Sequence, residues 1–326
     1  MRNDILRRAV GIAFIAALAV RPLAAAAEAP AVLVGRSVPT ADAELAAQVA
    51  FELGFFKKHG LDVKFVDFAG GSKLIQAMTS GSIGIGVGAA TAMALVAKGA
   101  PVLAVCETTA TLPYFAVGVP WDSPVHKVAD LEGKKIAVSS LGSLTDWLAQ
   151  ELIRKEGWSG DTTTRVAIGG NPVAVAAAFR AHLVDAYIGG TINFQRMEEQ
   201  HVGRLVAPTS TYMGRVASGG IYASQQMMKS DPDAIRAFLA AWIETTAYIG
   251  DRSHKAEIVK IESAFTGYPE HLVAREYDID QGMFTKDCRF DAESVEALKE
   301  SFMELKLLES PPDMSKLYTD AFLPKK

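Results

Sequence analysis

The sequence is short of the residues from which most enzyme and metal centres are built. Cysteine occurs twice in 326 residues, at 106 and 288, with no C-x-x-C spacing. The six histidines (59, 126, 182, 201, 254, 271) show neither H-x-H nor H-E-x-x-H spacing, so no metal site is expected. A G-x-S-x-G elbow, a P-loop and a Ser/His pair at recognisable spacing are all missing, so no catalytic residue and no cofactor is assigned. An excess of positive charge is missing too. Lys and Arg number 33 against 37 Asp and Glu, a formal charge of −4, which gives no bulk attraction for nucleic acid or anionic lipid. Beyond residue 27 no apolar run reaches the about 20 residues that a spanning helix needs.

What is present begins with an export signal. Arg2, Arg7 and Arg8 precede the short apolar run Ala9 to Val20, and Ala25-Ala26-Ala27 stand before Glu28. That order reads as a cleavable secretory signal peptide over 1–27, with Arg21-Pro22 ending the apolar run short of spanning length. Arg7-Arg8 hints at a twin-arginine signal without its usual flanks, and no Cys follows to carry a lipid anchor. The segment holds four Arg and one Asp, so its removal takes the formal charge from −4 to −7. About 300 residues remain, enough for two domains of ordinary size. An exported chain can oxidise its cysteines. Cys106, in VLAVCE, reads as a small buried hydrophobe and Cys288, in TKDCRF, as part of a polar segment; the sequence leaves their pairing open.

Short β-like and longer helical segments alternate along the rest. Strands are expected at 31–35, 61–68, 83–87 and 101–106, with helices at 43–59, 70–79 and 91–98 between them. The rhythm then repeats, with strands at 135–138, 164–168 and 184–188 and helices at 143–156, 173–180 and 192–200. Leu74 to Ala89 and Ala174 to Gly189 both run Ala-rich helix, small-residue turn, strand and Gly-rich loop. They read as equivalent units of two similar lobes, each a mostly parallel sheet between helices. Tyr114 to Val119 and Gly219 to Ala223 are the candidate crossings between lobes, and two crossings make a hinge. Beyond them Pro232 to Ile249, 256–264, 269–277 and 291–305 are helical and are expected to cover the first lobe.

Polar and small residues gather where strands hand over to helices: Arg36-Ser37, Gly70-Gly71-Ser72 and Gly88 to Thr91 in one unit, and Ser139 to Ser143, Gly169 to Asn171 and Gly189 to Thr191 in the other. In open α/β sheets such loops line the ligand crevice. Glycine admits a ligand to the backbone, hydroxyls donate or accept, and helix N-termini favour anions. Any one loop taken alone reads more readily as an ordinary turn or cap. The recurrence at the same place in both units favours binding of a small polar solute. Arg36 is the candidate fork for a carboxylate or sulfonate, against the alternative of a surface loop arginine. Trp147 reads as core more readily than as cleft lining, and Asp185 as a local cap or pair more readily than as a partner for an ammonium. Gly84-Ile85-Gly86-Val87-Gly88, with Glu107 some 20 residues on, mimics a dinucleotide fingerprint. Its third glycine is out of place, with Thr91 standing there, and it follows the third strand rather than the first, so no nicotinamide cofactor is expected.

AVLVGRS, FELGFFKKHGLDVKFVDFAGGSKLIQAMTSGSIGIGVG, KVADLEGKKIAVSSLGS, FRAHLVDAYIGGT and GGIYAS together resemble the nitrate/sulfonate/taurine-type solute-binding proteins of ABC importers, close to the thiamine-precursor binders, over residues 31 to about 250. The resemblance implies an α/β fold of the second periplasmic-binding-protein class. The expected lobes are 28–115 with 222–326, including the C-terminal helices, and 116–221, joined by a two-strand hinge. It implies a periplasmic, monomeric protein that captures a small organic anion, a sulfonate or carboxylate, for an ABC permease. The ligand-lining positions carried over are Arg36, Gly71, Ser72, Ala90, Thr91, Ser140, Leu141, Gly142, Ser143, Asn171, Gly190 and Thr191. Gly84 and His182 depart from the family pattern, which often has Asp and Gly there. An exported enzyme using the same cleft and a periplasmic sensor subunit are the alternatives; the Cys-rich signature of the pyrimidine synthases on this fold is missing.

Overall fold

The computed structural model describes residues 31–38, 42–68 and 70–325. Residues 1–27, expected from the sequence to be a signal peptide, lie outside them. The strands are β1 (Val32–Arg36), β2 (Val63–Asp67), β3 (Ile85–Ala89), β4 (Val102–Thr109), β5 (Phe115–Pro120), β6 (Lys135–Val138), β7 (Thr164–Ala167), β8 (Ala186–Gly190), β9 (Gly203–Pro208) and β10 (Gly219–Ser224). The helices are α1 (Asp42–Glu52), α2 (Phe55–Lys58), α3 (Gly71–Thr79), α4 (Met93–Ala97), α5 (Leu144–Lys155), α6 (Pro172–Arg180), α7 (Thr191–Glu199), α8 (Gln225–Ser230), α9 (Pro232–Gly250), α10 (Lys255–Thr266), α11 (Glu270–Asp280) and α12 (Ala292–Glu304). The single helix expected over 43–59 is broken at Gly54, which takes φ 73° and starts α2 afresh. β9 and α8 were not expected from the sequence.

Two five-stranded sheets form, in the orders β2-β1-β3-β10-β4 and β7-β6-β8-β5-β9. Within each, three neighbouring strands pair in parallel, and one strand, β10 in the first and β5 in the second, is inserted antiparallel between them and a fifth, β4 or β9, that runs with the other three. Both sheets are covered on two faces, as parallel sheets must be. The first packs α1 and α9 on one side, through Ala46, Ala50, Phe238 and Trp242, and α3, α4 and α12 on the other, through Leu74, Met78, Met93 and Phe302. The second packs α5 through Trp147, Leu148 and Leu152, and α6 with α7 through Val175, Phe179 and Phe194. Each Val, Leu, Met or Phe side chain among these contributes about 1.5–3 kcal/mol by leaving water. Trp147 is therefore core, and its Nε1 donates to Glu304 Oε2 on α12 at 2.8 Å. Asp185 accepts from the backbone N–H of Lys135 at 2.8 Å, 50 positions away, so its partner lies on the neighbouring strand β6 rather than in its own segment.

The GIGVG segment is β3 itself. A side chain at Gly86 would strike Met78 Sδ at 2.8 Å, and one at Gly88 would strike Ser37 Oγ at 2.8 Å. These glycines let α3 and the β1–α1 turn close on the sheet, a packing role rather than a phosphate cradle.

The chain leaves the first sheet after β4 and returns to it at β10. The residues expected as crossings are strands β5 and β10, one in each sheet; the passages are the segments just before them, 110–114 and 209–218. They are bound side by side. Val216 N donates to Ala110 O at 3.0 Å, Ser218 N to Thr109 O at 3.0 Å, and Thr209 Oγ1 to Leu112 O at 3.1 Å. The C-terminal helices reach both sheets' layers: α9 and α10 pack on α1, while α11 packs on α7. Cys106 on β4 and Cys288, before α12, form a disulfide, which settles the pairing that the sequence left open. Among the described residues no helix is long and apolar enough to cross a membrane.

Candidate functional site

The predicted residues stand on one edge of each sheet. Arg36 ends β1, Gly71 and Ser72 open α3 after β2, and Ala90 and Thr91 follow β3. These three strands are parallel, so the residues share the carboxyl edge. Ser140 to Ser143, Asn171 and Gly190-Thr191 follow the parallel strands β6, β7 and β8 in the same way. Both edges converge on the crossing passages. Ala90 N donates to Ser218 O at 2.9 Å in one passage, and Thr191 N to Tyr114 O at 2.9 Å in the other. One loop of each set, at Ala90 and at Thr191, is thus hydrogen-bonded to a passage that joins the two sheets.

Their side chains divide into two groups. Four are taken up by the fold. Arg36 is 4% exposed; its Nε and Nη2 donate to Asp67 Oδ1 and Oδ2 at 2.8 and 3.1 Å, and Nη1 donates to Gln48 Oε1 at 2.8 Å. Its guanidinium also lies 4.2 Å from the Phe65 ring centre and 5.1 Å from that of Phe265. This fork is closed on a carboxylate of the chain itself. Ser143 accepts from Asp146 N and caps α5, and Asn171 accepts from Val173 N and caps α6. Thr191 is 1% exposed and donates to Tyr114 O and Glu276. The hydroxyls of Ser72, Thr91 and Ser140 make no side-chain hydrogen bond among the described residues, and Gly70, ahead of α3, supplies no side-chain cap. Leu141 at 63% and Val173 at 76% exposure give the second edge an apolar rim, and Val38 at 46% does so on the first.

Two groups at the site carried no sequence signal. Glu44 on α1 accepts from Ser37 Oγ at 2.6 Å and from Val38 N at 3.1 and 3.0 Å, and so holds the turn after β1. Burial pushes its carboxyl up to about 7, against the lowering effect of those bonds. Glu276 on α11 reaches the first turn of α7, where Thr191 Oγ1 donates to it and Gln195 Nε2 donates to its Oε2 at 2.6 Å. Beside it a cavity of about 40 Å³ lies between α1, α7, α10 and α11, with Leu45 and Ile192 from the first turns of α1 and α7 in its wall. None of the twelve sequence-predicted residues lines it. Among the described residues no group of three or more His, Cys, Asp or Glu is placed to hold a metal.

Two α/β sheets, each with an antiparallel insert, joined by paired crossings at the loop edges, define the second class of periplasmic-binding-protein architecture. The chain belongs to the NMT1/THI5-like family, whose model matches residues 45–256. Among solved structures it resembles the periplasmic aliphatic sulphonate binding protein SsuA of Escherichia coli, with TM-score 0.76 and 20% identity over 89% of this chain and 92% of that one. It also resembles the alkanesulfonate-binding protein SsuA of Xanthomonas axonopodis pv. citri bound to MOPS, with TM-score 0.73 and 21% identity over 90% and 99%. The periplasmic nitrate-binding protein NrtA of Synechocystis PCC 6803 shares the fold at TM-score 0.67 and 15% identity, over 90% and 86%. A Brucella abortus protein that bears the name "Putative binding protein" is 26% identical over 200 residues, and the matched region spans 59% of the length of each.

Proposed function

We propose that the chain is the extracytoplasmic solute-binding component of an ABC importer, holding a small organic solute between the loop edges of its two sheets without transforming it. The observation that carries this reading is the convergence of both carboxyl edges on the paired crossings, through Ala90–Ser218 and Thr191–Tyr114. Hinge closure about such a junction brings both sets of loops onto one ligand. The binding proteins among its relatives and structural neighbours support the same reading. The disulfide suits a periplasmic site of action, and a permease is the partner that the importer role requires.

An acidic group on the solute, of the sulfonate or carboxylate class, has support on the first sheet. The first turn of α3 carries no side-chain cap, and Lys73 stands in it exposed. The sulfonate and nitrate binders among the neighbours point the same way. Arg36 is left out of this proposal, because its donors already meet Asp67 and Gln48. The test is mass spectrometry of the solute that copurifies, followed by its return to the unfolded and refolded protein. At about 100 times its Kd the solute is expected to add roughly 2.7 kcal/mol of stability and to be recovered unchanged. Recovery of a converted compound makes the chain an enzyme, and failure to associate with a permease removes the importer role.

A further inference from the structure

We infer that the Tyr187 hydroxyl is the second sheet's contact with the solute, donating a hydrogen bond to an oxygen of its acidic group. The inference rests on the solute-binding reading above and adds a recognition residue that the loop pattern does not contain.

Tyr187 lies inside β8, between Gly118 of β5 and Ala137 of β6. It belongs to the apolar cluster of Val175, Phe179 and Phe194, beneath α6 and α7. The residue is 4% exposed, yet its hydroxyl has no hydrogen-bond partner among the described residues. A hydroxyl carried on so buried a side chain and left unpaired is costly, and folded proteins pair most of them. Nor is it sealed in the core, as the unpaired Oη of Tyr212 is.

Two glycines show where the hydroxyl points. Gly189 follows two residues on, on the same face of the strand. A side chain there would lie 2.2 Å from Tyr187 Cε1 and 2.9 Å from Cζ, so the ring extends over Gly189 towards the carboxyl end of β8. A Cβ at Gly170 would stand 3.9 Å from Tyr187 Oη and 3.5 Å from Ser139 Cβ. The hydroxyl therefore arrives at the carboxyl edge, between the loop that enters α6 and the residue that follows β6.

The groups gathered there are donors. Asn171 Oδ1 takes the N–H of Val173, but the N–H groups of Gly170 and Asn171 donate to nothing among the described residues. The positive end of the α6 dipole stands behind them. The Asp146 carboxylate at the head of α5 is already taken up by Gly142 N, Gln150 and Arg165. Burial pushes the Tyr187 hydroxyl up to about 12, so it keeps its proton and donates. Ser143 and Asn171 are spent on their own helices, which leaves Tyr187 as the buried donor of this edge. A charged oxygen is the strongest acceptor for such a group. An acidic group that meets Tyr187 on one sheet and the first turn of α3 on the other makes the contact to both that closure requires.

The test is calorimetric titration of the full chain at pH 7 with 1-hexanesulfonate, MOPS and hexanoate, beside urea denaturation without solute. At least one of the three is expected to bind. Tyr187→Phe is expected to weaken it about 10–100-fold, the loss of a hydrogen bond to a charged group. Its urea midpoint is expected to stay that of the parent, because the hydroxyl bonds nothing inside the fold. Gly170→Ala keeps Tyr187 and the backbone N–H but sets a methyl beside the hydroxyl, and it is expected to weaken the same probe. Unchanged affinity in either variant overturns the inference while leaving the solute-binding reading standing. A lowered midpoint in Tyr187→Phe overturns it too, since the hydroxyl then serves the fold. No binding by any of the three overturns the assignment of an acidic oxygen; whether the chain binds a solute at all is read separately, from what copurifies.

Discussion

Arg36 on β1 and Asp67 on β2 stand directly opposite each other in the parallel register and share two hydrogen bonds, at 2.8 and 3.1 Å. The pair closes the carboxyl edge of the first sheet, with Gln48 from α1 as its third member. Arg36→Ala is therefore expected to act on stability. It leaves Gln48 and Asp67 without their donor and removes the contacts to Phe65 and Phe265. Asp67 keeps about half its side chain in water, which limits the cost to about 1–3 kcal/mol. Urea denaturation reads this as a lower midpoint at unchanged slope, and saturating solute still shifts the variant upward. An unchanged midpoint with a large loss of solute affinity would return Arg36 to the binding site.

The Cys106–Cys288 bond closes a loop across 182 residues and ties the segment before α12 to β4. Cys288 O also accepts from Glu107 N at 3.0 Å, and the Glu107 carboxylate accepts from Asp291 N and Ser294 Oγ at the start of α12. The double replacement Cys106→Ser with Cys288→Ser is expected to cost about 2–5 kcal/mol. Hydrogen exchange would locate the loosening, with faster exchange at residues 283–291 than in α9. Alkylation of the unfolded, unreduced protein checks the bond itself: no cysteine is expected to react. Labelling of both thiols there would remove the staple.

His182 takes φ 50° in the turn between α6 and β8, where the family pattern often has glycine. The left-handed region costs a side-chain-bearing residue about 1–2 kcal/mol; glycine avoids that cost but gives back part of the gain through its larger entropy loss on folding. His182→Gly is expected to raise stability by about 0.5–1 kcal/mol. The ion pair that it gives up, 3.8 Å from Asp122 with both side chains about two-thirds exposed, contributes little. A melting temperature at or below that of the parent protein would show that the His182 ring holds the turn by contacts that outweigh its strain.

The alternating α/β rhythm was legible because each strand is a short apolar run closed by glycine or a cap residue; Ser143, Asn171, Asp231 and Asp291 do cap the helices they precede. Those same caps are why the site was only half legible. Ser143 and Asn171 looked like solute contacts by position, yet their oxygens accept from their own helices. The pairs that decide the chemistry lie beyond any local pattern. Arg36 meets Asp67 across 31 positions, Thr191 meets Glu276 across 85, and Cys106 meets Cys288 across 182. Each depends on strand register or on where α11 lands. The C-terminal helices gave no sign that one of them, α11, would set a carboxylate on the α7 turn. β9 is hidden in the sequence because Arg204 and Pro208 confine its apolar run to three residues, and α8 because its six residues span less than two turns.

Glu44 makes the stability of the first sheet depend on pH near neutrality. Its carboxyl is 3% exposed, and burial raises it from 4.5 to about 7. The folded protein therefore holds this proton more tightly than the unfolded chain. Below pH 4.5 the group is neutral in both states and its burial carries no charge penalty. Between pH 4.5 and 7 the unfolded chain has lost the proton while the folded one keeps it, so stability falls as pH rises through that window. Above about 7 both states are ionised and the loss levels off, at on the order of 3 kcal/mol for a shift of this size. Glu107 and Glu304, also raised by burial, add slopes of the same sign. Glu44→Gln removes the Glu44 share alone, and its amide oxygen still accepts from Ser37. Urea midpoints at pH 5 and pH 8 are expected to differ less in the variant than in the parent, by an amount gained at pH 8. The same pH dependence in both proteins would show that Glu44 is ionised throughout, held by Ser37 and Val38 despite its burial.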